Sequence, residues 1–155
     1  MSIRHDSHSH HPCAMAPFVT RKNAGEVSGL HLLHVADQVT AGVGDLLSFS
    51  VWVLNSTHEV LTDVTVRLRS FTNGEMETLQ YTTRPTTDAL AGGILNPMRA
   101  LNHALTYKVT SKDAIHGDLL ISAIQVELTS PVHGPLIGES DAHVRIRVPS
   151  REEEQ

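Results

Sequence analysis

The densest group of side chains able to do chemistry lies near the N-terminus, where His5, His8, His10 and His11 precede Cys13. Imidazole nitrogens and a thiolate together suit Zn, Ni or Cu. The spacing does not supply the two-by-two ligand arrangement of a structural zinc site, and histidine clusters on an unstructured chain hold metal weakly. These five residues are weak metal candidates on a solvated or partner-docking arm, and no cofactor is expected. The remaining histidines, His31, His34, His58, His103, His116, His133 and His143, are scattered through expected strand edges and turns, where structural or exposed roles suffice.

Catalysis needs a nucleophile with an oriented base, or a carboxylate pair in a cleft. The chain has no Gly-x-Ser-x-Gly, no His-Glu-x-x-His and no phosphate-cradling glycine loop. Asp113 and His116 form an acid and imidazole pair, but their setting in a short turn favours capping. No catalytic residue is assigned, and the chain is not expected to be an enzyme. Cys13 is the only cysteine, which excludes an intramolecular disulfide. Asn55-Ser56-Thr57 fits a glycosylation acceptor, yet it reads more simply as a turn.

Positioning any of these residues falls to a chain of 155 residues, enough for one domain with its own core. Aromatics make up only 4% of it, so Val, Leu, Ile and Thr must supply most of that core. The net charge of −5, with acids and bases interspersed up to a Glu152-Glu153-Glu154 tail, carries no footprint of nucleic-acid binding. No run reaches the ~20 apolar residues of a membrane span, so no membrane insertion is expected. The N-terminus lacks the apolar stretch of a signal peptide, which implies a protein made in a cytoplasm and acting elsewhere only after lysis or non-classical export.

Residues 1–28 are polar, without hydrophobic periodicity, and read as a flexible arm; residues 29–149 read as the folded body and 150–155 as an acidic tail. Within the body, short alternating runs are bounded by Gly, Pro, Asn or Asp. Leu30 to Ala36 comes first, then Leu47, Phe49, Val51 and Val53 alternate with Ser48, Ser50, Trp52 and Leu54. Val64, Val66 and Leu68 lead through Asn73-Gly74 into Met76 to Thr82 as a hairpin, followed by a loop over 84–93. Runs at 105–110, 120–128 and 142–148 complete about seven strands, the last ended by Pro149. Without helical crossovers the strands must be antiparallel, so an all-β, immunoglobulin-like sandwich with two stacked sheets is expected. Arg67, Arg69, Arg145 and Arg147 take outward positions, with Gln125 and Glu127 on a strand between them as cross-strand partners.

Four stretches resemble the conserved-repeat β-sandwich domains, the domain-of-unknown-function 11 group, of bacterial and archaeal surface proteins. They are Gly44-Asp45 with Phe49 to Asn55, Leu61 to Val66, Leu105 to Thr110 with Asp113 and Gly117, and Ser140 to Val148. Trp52 and Leu54 stand where that family has outward polar residues, and Ile121-Ser122-Ala123-Ile124 replaces its Asn-Thr-Ala. The resemblance implies the sandwich fold and a spacer or adhesive role, with no catalytic or cofactor residues to carry over.

Trp52 is the most informative single residue. If Leu47, Phe49, Val51 and Val53 face the core, the pleat turns Trp52 and Leu54 outward, where a Trp anchors an interface or is covered by residues 13–28. Phe18 and Val19, the apolar pair of the arm, join them as expected interface residues. The function implied is that of a non-enzymatic interaction protein with protein partners, either a capsid or its own copies as a homo-oligomer. Such a protein fits a phage virion, as a capsid decoration or minor structural subunit docking through its arm and one sheet face. The alternative is an adhesive or spacer module at a cell surface.

Overall fold

Strict alternation of buried and open positions builds the strand Leu46–Asn55, whose odd-numbered residues point inward and even-numbered ones outward. The computed structural model describes residues 15–83 and 89–148. Its elements are β1 (Ala16–Thr20), β2 (Glu26–Ala36), β3 (Thr40–Ala41), β4 (Leu46–Asn55), β5 (Leu61–Thr72), β6 (Ala89–Leu95), β7 (Arg99–Lys108), α1 (Ser111–His116), β8 (Leu119–Ser130) and β9 (Gly134–Ile146). The protein is all-β, and a single sheet runs in the order β6-β5-β8-β9-β1-β2-β4-β7, curling until it nearly closes as a barrel.

Among the described residues nine strands replace the expected seven, and one continuous sheet replaces two separate ones. The physical cause is β1. It pairs with β2 on one side and, through Val19 and Thr20, with Ile137 and Leu136 of β9 on the other. This five-residue strand therefore joins a group of four strands to a group of three. The segment read as an arm up to residue 28 thus contains β1 and the first turnings of β2, because Phe18 and Val27 bury themselves in the core. The expectation of purely antiparallel pairing is also corrected, since β3 pairs with β9 in parallel at Thr40 and Ala41. Two residues suffice there, and no crossover helix is needed.

The Asn73-Gly74 turn is present, with Oδ1 of Asn73 accepting from the backbone of Glu75 and Glu77. The strand expected after it is reduced to isolated bridges, Thr72 with Thr78 and Thr83 with Thr106. The second bridge attaches this segment to the edge of β7 instead of continuing the hairpin. In place of the latter part of the expected loop over 84–93 stands β6, antiparallel to β5.

The interior holds two stacked hydrophobic clusters. One gathers Phe18, Leu30, Leu32, Val51, Val53 and Ile124 with their neighbours; the other gathers Leu47, Phe49, Phe71, Tyr81, Leu105 and Tyr107 with theirs. In the second, the rings of Phe71 and Tyr81 stack at 4.4 Å while Tyr107 meets Phe71 edge-on at 4.9 Å. Thr110 caps α1 in a reciprocal box with Asp113, whose Oδ2 also accepts from the Tyr107 hydroxyl at 2.6 Å. Burial and that carboxylate push the Tyr107 phenol up.

Candidate functional site

Five of the six Phe, Tyr and Trp residues of the chain lie in the core, and Trp52 is the sixth. Its strand explains the exception. Because β4 keeps its register with β2 and β7 over its whole length, the outward residues of the three strands line up in rungs. The middle rung is Leu33–Trp52–Asn102; on one side of it lies His31–Leu54–Ala100, and on the other Val35–Ser50–Ala104. Trp52 stands at the centre of this grid, and it is half-buried by its neighbours instead of fully exposed. Leu33, Val35 and Leu54 are half-buried as well, whereas Ala100, Asn102 and Ala104 are exposed.

No Asp, Glu, Lys or Arg occurs in these rungs. The outer face of β5, β8 and β9 is the reverse. There Arg67 meets Glu127 at 3.5 Å, Arg21 reaches the same carboxylate at 3.6 Å, and Arg69 bonds Gln125. Glu139 and Asp141 follow on β9 opposite Gln125 and Ala123. Strand β8 does lie between the strands that carry the arginines, as the charge pattern predicts, although Arg147 turns to Asp45 at 3.9 Å. The sheet thus gathers most of its charge on one wall, whereas the other is uncharged over the three rungs that β2, β4 and β7 share and reaches a charge, Lys108 opposite Leu46, only at its far end.

Leu54 shares the uncharged face with Trp52, as its alternation requires. Phe18 does not reach any surface. Its ring is fully buried against Gly138, so its place among the expected interface residues is corrected: the narrow space between β1 and β9 takes the ring inward. Val19, half-buried, pairs with Glu26 and Ile137 and closes the sheet instead of offering a free contact. His5, His8, His10, His11 and Cys13 lie outside the described residues. Among the described residues no group of three or more His, Cys, Asp or Glu side chains is placed to hold a metal ion, and no helix is long and apolar enough to cross a membrane.

One constellation escaped the sequence reading. His34, Ser122 and Tyr81 meet inside the barrel, with Nε2 of His34 2.8 Å from the Ser122 hydroxyl and the Tyr81 hydroxyl 2.6 Å from the same oxygen. Nδ1 of His34 donates to the carbonyl of Ser50 at 3.0 Å, which fixes the tautomer: Ser122 donates to Nε2, and Tyr81 donates to Ser122. The signal was available, because His34 continues the inward phase of Leu30 and Leu32. A Ser–His contact resembles a nucleophile and its base, but Ser122 and His34 are sealed from solvent and Nδ1 meets a backbone carbonyl where a carboxylate would orient it. The arrangement holds strands together.

Two other polar residues find structural work. Asn55 of the glycosylation-like motif is buried, with Nδ2 directed at the carbonyls of Glu59, Leu95 and Asn96 and Oδ1 accepting from Thr57. It clamps the β4–β5 turn onto the end of β6. Nε2 of His103 on β7 is buried with no hydrogen-bond partner among the described residues, and desolvation lowers its pKa, which keeps the ring neutral. No known protein family matches the chain, and no curated protein matches it significantly.

Proposed function

We propose that this chain is a non-enzymatic interaction subunit of a larger assembly, docking through the β2–β4–β7 face. One observation carries the reading: the only Phe, Tyr or Trp side chain outside the core sits in the middle of three uncharged rungs shared by β2, β4 and β7. Large aromatics at the centre of a patch, ringed by small and neutral side chains, are where contact energy concentrates. The assembly proposed is a phage virion, with the chain as a capsid decoration or minor structural subunit and the N-terminal residues as a second contact.

The immunoglobulin-like description is proposed on similar grounds. With β1 set aside, the long strands divide into β6-β5-β8-β9 and β2-β4-β7, a four-and-three arrangement suited to a sandwich. The stretches that resemble the conserved-repeat surface domains fall on β4, β5, β7 with α1, and β9, which supports the same reading.

Co-sedimentation of the purified chain with intact particles tests the function. Stoichiometric recovery on virions, lost in Leu54→Lys, is the expected result. A monomer that ignores particles but binds whole cells or glycans would replace it with the adhesive module.

A further inference from the structure

We infer that the β2–β4–β7 face is a contact between two copies of this chain, paired about a two-fold axis passing close to Trp52. The inference rests on the docking face proposed above and names its partner.

Three observations point to a second copy. First, an isologous contact requires a surface that complements itself. The polar side chains in the rungs are of types that both donate and accept, the hydroxyl of Ser50, the amide of Asn102 and the imidazole of His31, so each can meet its own kind. Apolar Leu33, Leu54 and Ala100 need only shape. Secondly, a chain of net charge −5 repels its own copy over most approaches, and the three uncharged rungs are where two copies can meet without opposing like charges. A strongly acidic or basic partner would find no counter-charge there. Thirdly, Trp52 occupies the middle strand of three and the middle rung of three. An axis through the centre of the face therefore brings the two indoles against each other or against the partner's Leu33 and Asn102.

The size of the face sets the strength. Three strands about 4.8 Å apart, contacting over about seven residues, present roughly 350 Å² per copy. That is well under the ~800 Å² per partner of a stable interface, so the free dimer should be weak and reversible. Copies held side by side on a larger lattice would gain effective concentration, and the same contact would then persist.

Sedimentation of the full chain from micromolar to millimolar concentration, with emission of the single Trp followed in parallel, tests this directly. Dimer should appear in the upper part of that range together with a blue shift of Trp52 emission. Leu54→Lys should weaken association by about tenfold or more while leaving the melting temperature unchanged. Glu139→Lys, an exposed change on the charged wall, should leave the dimer intact. A monomer at millimolar concentration with constant emission would overturn the inference, whether that emission is red or already blue from cover by the chain's own N-terminal residues. So would a dimer indifferent to Leu54→Lys. If copies do not pair but Leu54→Lys still abolishes recovery on particles, the docking face stands and only the identity of its partner fails.

Discussion

Nε2 of His34 lies 2.8 Å from Oγ of Ser122, and this contact ties β2 to β8 through the interior of the barrel. The two strands are not neighbours in the sheet, where β9 and β1 stand between them. A hydrogen bond across the interior thus fixes the distance between opposite walls, a role that apolar packing performs with less directional precision. Asp141, whose charge raises the His34 pKa, opposes the larger effect of burial, which lowers it.

That burial gives stability a pH dependence. The folded protein holds His34 below the ordinary value of 6.5, so below that pH the unfolded chain binds the proton more readily. Stability is therefore full above pH 6.5 and declines as the pH falls from there to the folded pKa, by up to about 1.4 kcal/mol per pH unit. Urea denaturation at a series of pH values should show this slope in the natural protein. His34→Gln should be less stable at neutral pH and show a shallower slope across the same window, the remainder coming from His103, whose pKa burial also lowers; an equal slope in His34→Gln and the natural protein would assign the effect to other groups.

Asn55→Ala removes the donor aimed at three carbonyls and the acceptor that fixes Thr57. A loss of about 2–3 kcal/mol is expected by denaturant unfolding. Asn55→Asp should cost more, because a carboxylate would face those same carbonyl oxygens. If Asp were tolerated as well as Ala, the clamp would not be the reason for the burial.

Gly138 lets the Phe18 ring lie against the backbone of β9. A Cβ there would stand 3.1 Å from the ring, closer than ordinary van der Waals contact. Gly138→Ala should destabilise by about 1–3 kcal/mol through overpacking, and Phe18→Leu, by making room, should reduce that penalty in the double variant. Additive losses in the double-variant cycle would mean that the two sites do not press on each other.

Much of the fold was written locally. Alternation over Leu47 to Val53 determined β4 and turned Trp52 and Leu54 outward, because the pleat has a period of two whatever the strand pairs with. Asn73-Gly74 determined a turn, and the spacing of Thr110 and Asp113 determined a cap, since both depend on bonds between residues close in sequence. The order of charged positions on β5 and β8 likewise anticipated their pairing.

What the tertiary structure decided concerns partners distant in sequence. Residues 16–20 have too short a pattern to declare a strand, and only the two edges waiting on β2 and β9 make them one. β6 is built from Ala-Leu-Ala-Gly-Gly-Ile-Leu, whose weak strand propensity is overridden by pairing with β5. That His34 meets Ser122 from 88 residues away, and that Trp52 stands in the middle of three uncharged rungs, follow from strand order, which no local rule contains. Periodicity sets which way each side chain points; long-range pairing sets what stands beside it.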